Sequence, residues 1–232
     1  MAQPSWNWTI VDSLPHPVSR FTQGLSWDGH TLWESTGMVG RSTLYHLDRK
    51  ARVLDSVRIP EPHFGEGSVR VRDEVFVLTW QSGVGFIYDA KTLQKKGEFP
   101  IPTDGWGLTQ KDGLLWMSNG SPDILQLTAD SQQMVGRLHV ENQGRPVERL
   151  NELEMTSSYL LANIWYSDSV AVIQPRTGNV EAWLNLAAIT KAVHSKAPKA
   201  DVLNGLAWDG KLLWVTGKLW PRIYALKVEQ LK

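Results

Sequence analysis

The chain has 232 residues, in which 24 Lys and Arg balance 24 Asp and Glu, and it contains 12 Trp and no Cys. The balanced charge offers no field that would attract a nucleic acid or an anionic membrane, and no apolar run is long enough to span a bilayer as a helix. Without Cys, the chain can form no disulfide, thiolate nucleophile or Cys-type zinc site, whereas its length suits one large all-β core.

One segment recurs five times along the chain, and its copies start at Gln23, Glu66, Trp106, Asn151 and Asn204. Each copy is a short apolar strand, a turn and a second apolar strand. In three copies the turn contains Asp-Gly, at 28–29, 112–113 and 209–210, whose residues accept the positive φ of a tight hairpin. The starts lie 43, 40, 45 and 53 residues apart, which is the four-strand period of a propeller blade.

Two further strands follow each of the first four copies, but only one, at residues 223–226, follows the last. Residues 10–16 closely resemble the outer strand that begins at residue 53. We therefore predict an all-β, five-bladed β-propeller, with residues 1–232 as one domain, in which residues 6–16 complete the last blade and close the ring. Residues 186–201 do not fit the repeat and are predicted to form a short helix between strands.

Fourteen residues after each start, the second strand of the hairpin reaches its end. The resulting pairs are Gln23 with Gly37, Glu66 with Trp80, Trp106 with Gly120, Asn151 with Trp165, and Asn204 with Lys218. The first residue of one strand and the last of the next lie side by side in a tight hairpin, so these ten positions are predicted on one rim of the channel. Phe21 and Phe64 precede two of the starts and should lean over the same mouth.

The predicted rim combines one carboxylate, one ammonium, three amides and three indoles. Apolar walls with a few convergent polar groups are typical of a small-molecule pocket. Strand ends also carry polar residues simply to meet solvent, so the spacing alone leaves both interpretations open. Glu152 and Glu154 share one face of a strand and are expected to form hydrogen bonds at the rim.

Several segments match, in order, motifs of one known family. They include residues 21–25, 34–37, 64–67, 85–89, 104–108, 150–154, 162–165 and 203–207, and extend to Lys218. In these motifs the chain resembles the plant and bacterial type of glutaminyl-peptide cyclotransferase, or glutaminyl cyclase. The resemblance implies a five-bladed propeller without catalytic zinc or another cofactor, which converts the N-terminal glutamine of peptides and proteins to pyroglutamate and ammonia.

The resemblance also assigns site residues. It places the family's catalytic glutamate at Glu66 and its pocket residues at Phe21, Gln23, Phe64, Trp80, Trp106, Asn151, Trp165 and Lys218. Glu66 is the only acid among the ten rim positions, so it is expected to carry the proton from the attacking amine to the leaving ammonia. Lys218 and the amides of Gln23 and Asn151 are candidates to stabilise the oxyanion. Burial by the indoles should raise the pKa of Glu66 and Lys218 should lower it, which leaves the net direction open.

The alternative function is that of a non-catalytic propeller that binds a peptide or small ligand on the same rim, because a fold does not by itself give a function. The six His are scattered without metal-ligand spacing, and none lies at the rim, which argues against a metal site and a Ser-His-Asp triad. We expect a monomer. The first residues lack the basic and apolar regions of a signal peptide. Bacterial relatives are usually exported, so the resemblance favours a secreted or periplasmic protein, with the cytoplasm as the alternative.

Overall fold

The computed structural model describes residues 4–231, which form five four-stranded antiparallel sheets, one two-stranded sheet and one helix. In chain order the elements are β1 (Trp8–Pro15), β2 (Thr22–Trp27), β3 (Leu32–Thr36), β4 (Thr43–Leu47), β5 (Val53–Arg58), β6 (Gly65–Val71), β7 (Glu74–Thr79), β8 (Val84–Asp89), β9 (Lys95–Pro100), β10 (Leu108–Lys111), β11 (Leu114–Met117), β12 (Asp123–Thr128), β13 (Met134–His139), β14 (Glu141–Asn142), β15 (Arg145–Pro146), β16 (Leu150–Met155), β17 (Leu160–Ile164), β18 (Ser169–Ile173), β19 (Val180–Asn185), α1 (Ala187–Lys196), β20 (Leu203–Trp208), β21 (Leu213–Gly217) and β22 (Arg222–Val228).

The five sheets are the blades of a β-propeller, as predicted. The innermost strands β2, β6, β10, β16 and β20 contact one another in cyclic order around a central channel. Each of the five apolar clusters fills the space between two neighbouring blades, so the core is divided into layers instead of lying at one centre. This arrangement explains why the inner strands are buried on both faces, while the outermost strands are largely exposed.

The ring closes as predicted. β1 pairs antiparallel with β22 and completes a sheet of order β1-β22-β21-β20. The chain before β1 extends the contact to the preceding blade, because the backbone N–H of Trp6 donates to the carbonyl of Trp183 at 2.9 Å. The predicted helix is α1, and its buried Ile189 and Val193 pack between the last two blades. The small hairpin β14–β15 was not predicted.

The three Asp-Gly turns lie in hairpins, as predicted, but the positive φ expected at both residues occurs in only one of them. Only Asp112 and Gly113 both have positive φ, at 52° and 78°. In the first and last blades only the glycine does, and the aspartate instead accepts hydrogen bonds. Asp28 accepts from two backbone N–H groups of its loop and from the indole of Trp33, and Asp209 does the same with its loop and Trp214.

A buried ionic cluster lies where the last blade meets the first. Glu34 is fully buried and accepts hydrogen bonds from His16 at 2.8 Å, Arg20 at 2.7 Å and Thr22 at 2.8 Å. The other ring nitrogen of His16 lies 2.6 Å from the carbonyl oxygen of Trp220. Burial alone would raise the pKa of Glu34, but the charges and hydrogen bonds of its partners outweigh burial and lower that pKa to about 2.

We expect Glu34→Gln to lower the free energy of unfolding by about 3 kcal/mol at pH 7. The ionised carboxylate stabilises the fold above its unfolded-state pKa near 4.5, and this contribution is lost as the pH falls towards 2. The difference between the variant and the unchanged protein should therefore narrow across that window. Denaturant unfolding at a series of pH values measures it, with Glu229→Gln as an exposed control. A difference that stays constant from pH 2 to 7 would contradict this account.

Candidate active site

A cavity of ≈ 270 Å³ opens at one mouth of the channel, and all nine predicted site residues line it. They are Phe21, Gln23, Phe64, Glu66, Trp80, Trp106, Asn151, Trp165 and Lys218. Tyr166 and Asp201 also line the cavity and were not predicted. The volume lies just below the range usual for drug-sized ligands, so the cavity suits a ligand about the size of one or two amino acids.

The predicted side-by-side pairing across each hairpin is wrong in register. In four blades the inner strand has a bulge at the rim, which falls at Gln23, Glu66, Asn151 and Asn204. The residue at the far end of the hairpin therefore bonds to the backbone two positions before the start, as Trp80 N does to Phe64 O at 3.0 Å. Bulges are common beside active sites because the extra residue re-aims its side chain.

Three of the ten rim positions do not line the cavity. Gly37 and Gly120 instead lie beneath aromatic rings, since a Cβ at Gly37 would overlap Phe64 and one at Gly120 would come within 2.6 Å of Trp106. Asn204 donates a hydrogen bond to the side-chain oxygen of Gln23 at 3.3 Å. These three positions support the cavity-lining side chains from behind.

Two aromatic walls enclose the cavity. On one side the ring of Phe64 meets Phe21 at 6.2 Å and Trp80 at 5.8 Å, both edge to face. On the other side Trp165 meets Trp106 at 5.4 Å and Tyr166 at 4.6 Å. The cavity is buried at its base and open at its mouth, because Glu66 is 5% exposed whereas Trp80 is 43% and Tyr166 67% exposed.

Glu66 lies at the base of the cavity, where its Oε1 accepts a hydrogen bond from Gln23 Nε2 at 2.9 Å. Burial raises the pKa of this carboxyl group well above its ordinary value, and the charge of Asp104 adds to the effect. Lys218 and the Gln23 hydrogen bond act in the opposite direction but do not cancel it. The sequence left open whether the pKa of Glu66 is raised or lowered, and in the structure it is raised.

Lys218 faces the same space with its ammonium group 4.9 Å from the ring centroid of Phe21. Burial lowers the pKa of Lys218, while the charges of Glu66 and Asp201 oppose that change. Within residues 4–231 its ammonium group makes no hydrogen bond or ion pair. A buried cation whose donors are free is suited to bind an oxygen atom that carries negative charge.

A family model described as glutamine cyclotransferase matches residues 1–228 of this chain. The chain belongs to the glutamine cyclotransferase family. A glutaminyl-peptide cyclotransferase of Arabidopsis thaliana is 35% identical over 227 residues, which cover 95% of this chain and 71% of the plant protein. Family membership confirms the predicted family and the predicted enzyme class, that of a glutaminyl-peptide cyclotransferase.

Solved structures agree with this assignment. A glutaminyl cyclase of Myxococcus xanthus has a TM-score of 0.88 at 34% identity, and the match covers 98% of this chain and 99% of that one. A Bacteroides caccae protein of unknown function shares the fold alone, with a TM-score of 0.56 at 14% identity over 73% of this chain and 69% of its own.

The residue directly after each repeat start lies beneath the cavity, where the inner strands approach one another across the channel. It is glycine in four blades, and a Cβ at Gly67 would come within 2.6 Å of the backbone of the next blade. The fourth blade has Glu152 instead, whose carboxylate accepts the backbone N–H groups of Leu25 at 3.2 Å and Leu206 at 2.8 Å. Glu152 thus binds two other blades below the rim and not at the rim, where the sequence placed it. Glu154, also expected at the rim, lines a cavity at the opposite end of the channel.

In four blades, the residue directly after the rim position of the second strand has a positive φ. They are Met38, Gln81, Tyr166 and Leu219, with φ of 89°, 52°, 62° and 62°. None is glycine, so each occupies a conformation that costs an L-residue roughly 1–2 kcal/mol. Strained backbone of this kind often accompanies functional sites.

We expect Gln81→Gly to raise the free energy of unfolding by about 1 kcal/mol, because glycine removes the left-handed strain of this exposed position. The gain is smaller than the full strain since glycine also has more freedom in the unfolded chain. Thermal and denaturant unfolding measure it. The matched control is Lys91→Gly at an exposed turn position without positive φ, which should destabilise. A loss of stability in Gln81→Gly would show that the strain is smaller than the entropic cost of glycine in the unfolded chain.

The described part of the chain contains no group of three or more His, Cys, Asp or Glu side chains placed to hold a metal ion. Between residues 4 and 231 there is also no helix of sufficient length and apolar character to cross a membrane.

Proposed function

We propose that this cavity binds the N-terminal glutamine of a peptide or protein and cyclises it to pyroglutamate with release of ammonia, without a metal ion. The observation that carries the proposal is the juxtaposition of a buried carboxyl group of raised pKa, Glu66, with the free ammonium group of Lys218 between aromatic walls. Fixed electrostatics in a water-excluding cavity are the main source of catalysis in reactions of this kind.

In the proposed reaction the α-amine attacks the carbon of the glutamine's own side-chain amide and forms a five-membered ring. The amine must lose a proton and the departing nitrogen must gain one before ammonia leaves. Glu66 accepts the first proton and returns it to the leaving nitrogen, so no proton is gained or lost overall. The raised pKa suits both steps, because a group that titrates closer to neutral pH can act as base and then as acid.

Charge on the amide oxygen grows in the tetrahedral intermediate, and Lys218 is the group proposed to meet it. The amide of Asn151 makes no hydrogen bond to any described side chain or backbone group, so it can assist or hold the substrate backbone. Gln23 is less available, because its amide already bonds to Glu66 and Asn204. The indole N–H of Trp106 is buried without a partner among residues 4–231 and is proposed to donate to a substrate carbonyl.

The aromatic walls are proposed to hold the glutamine side chain curled towards its own amine. Fixing the two reacting groups of one flexible chain in a near-attack conformer removes much of the entropic barrier to ring closure. Trp80 and Trp165 stand on opposite walls and are placed to confine the side chain between them.

The experiment is to incubate the protein with a glutamine-initiated peptide and to follow the mass loss of one ammonia together with released ammonia. An N-acetylated copy of the peptide is the control, because it lacks the free amine. Adding a metal chelator to the assay should leave the rate of ammonia release unchanged. Binding of the peptide without ammonia release would instead support the non-catalytic alternative.

We also propose that the enzyme acts as a monomer outside the cytoplasm. The lining residues come from all five blades, so one closed ring supplies the proposed proton carrier, the ammonium group and both aromatic walls. Sedimentation tests the first point, and fractionation of the native host tests the second.

A further inference from the structure

We propose that Asn204 is a positioning residue for the cyclisation: it fixes the orientation of the Gln23 amide, which in turn holds the carboxyl group of Glu66. The inference rests on the proposed function, because it concerns the proposed proton carrier. Asn204 is fully buried and does not line the cavity, so it acts through Gln23 and not on a substrate. It belongs to β20 in the last blade and Gln23 belongs to β2 in the first, so the contact crosses the closure of the ring.

The orientation of the Asn204 amide is set by backbone groups. Its Nδ2 lies 3.0 Å from the carbonyl oxygen of Thr22 and 3.4 Å from that of Gln23. Carbonyl oxygens only accept hydrogen bonds, so Asn204 must present its NH₂ group to them. The same NH₂ group lies 3.3 Å from Gln23 Oε1.

This contact determines which end of the Gln23 amide faces Glu66. Because Gln23 Oε1 accepts from Asn204, the NH₂ group of Gln23 points to the carboxyl group, where Nε2 lies 2.9 Å from Oε1 of Glu66. A reversed amide would place oxygen against carboxylate oxygen. A donor at the carboxylate favours its ionised form, so this hydrogen bond opposes the burial that raises the pKa of Glu66.

The backbone around Asn204 is held so that its side chain turns towards Gln23. A bulge interrupts the register of β20 between Leu203 and Leu206. Gly205 has φ of +129°, and its N–H donates to the side chain of the buried Asn163 at 3.0 Å. The bulge and this anchor direct Asn204 across the closure of the ring.

The test is Asn204→Leu, which keeps the size of the side chain and removes its donors. We expect kcat/KM on the acid side of the pH profile to fall about tenfold, the acid limb to move to higher pH, and KM to change little. The ¹³C-carboxyl NMR titration of Glu66, assigned with Glu66→Gln, should move in the same direction. In a Gln23→Leu background, the substitution at Asn204 should cause no further movement.

A lower activity with an unmoved acid limb and an unmoved NMR titration would overturn the proposal and leave Asn204 a structural residue. An equal movement in the Gln23→Leu background would overturn it too, because the effect would not pass through Gln23. If Asn204→Leu does not fold, Asn204→Ser, whose side chain is too short to reach Gln23 Oε1, takes its place in both measurements.

The NMR titration requires no turnover, so the two proposals fail separately. A titration that moves in a protein that releases no ammonia would support the positioning role and reject the proposed function. An active protein whose titration stays in place would reject the positioning role alone.

Discussion

Glu66→Gln should abolish turnover, lowering kcat by about 10²–10⁴-fold while KM stays nearly unchanged. The amide has the shape of the carboxyl group, and its oxygen can still accept the hydrogen bond that Gln23 donates at 2.9 Å. It cannot take a proton from the attacking amine and return it to the leaving nitrogen. Initial rates of ammonia release from a glutamine-initiated peptide measure kcat and KM, and peptide binding to the inactive variant is measured by calorimetry.

Stability provides an internal control for this variant. The pKa of Glu66 is raised in the folded protein by burial, so ionising the group opposes folding as the pH rises above its unfolded-state value near 4.5. Glu66→Gln should therefore be at least as stable as the unchanged protein at neutral pH. Glu229→Gln, at an exposed position, should keep full activity. A Glu66→Gln variant with unchanged kcat would refute the assignment of the proton carrier.

Lys218→Met should lower kcat by about 10²-fold, the effect typical of losing one fixed donor at an oxyanion, and should raise KM by no more than about threefold. Methionine retains an unbranched stem next to Phe21 but carries no charge. Because the charge of Lys218 lowers the pKa of Glu66, its removal should also move the acid limb of kcat/KM to higher pH.

Steady-state rates across a range of pH values measure both effects of Lys218→Met. Lys227→Met, on an exposed part of the last blade, is the matched control and should change neither the rate nor the pH profile. A change confined to KM would assign Lys218 to ground-state binding of the peptide and would remove it from the oxyanion.

The residues that line the cavity differ in how directly the sequence identifies them. Seven of the nine predicted residues occupy the rim positions of a repeat, and Phe21 and Phe64 each lie two residues before a start. A closed ring brings equivalent positions together whatever the details of each blade. Tyr166 and Asp201 lie outside the compared positions, so the repeat gave no reason to select them. The chain next to each of them could have been a signal, because Tyr166 follows Trp165 directly and Asp201 precedes the last copy by three residues.

The contacts of the buried groups that support the cavity were harder to infer from the sequence. Glu34 lies within a motif that resembles the family, and its partners His16 and Arg20 are only 18 and 14 residues away, but they lie on the connection from the closing strand β1 to the first blade, which no repeat position marks. Asn204 was recognised as a rim position, but its contact with Gln23 spans 181 residues. Hydrogen bonds over such separations depend on how blades dock, which no local pattern reports.

By itself the sequence determined the number of blades, the closing strand and most of the residues at one mouth, because a repeat of forty-odd residues fixes which positions are equivalent and a ring gathers them. Only the tertiary structure decided how those residues are aimed, since bulges and left-handed turns arise where strands meet and leave no glycine or other mark at positions such as Gln81 and Tyr166. It also decided the direction in which the pKa of Glu66 moves, because that direction is the balance of burial against charges brought from distant blades.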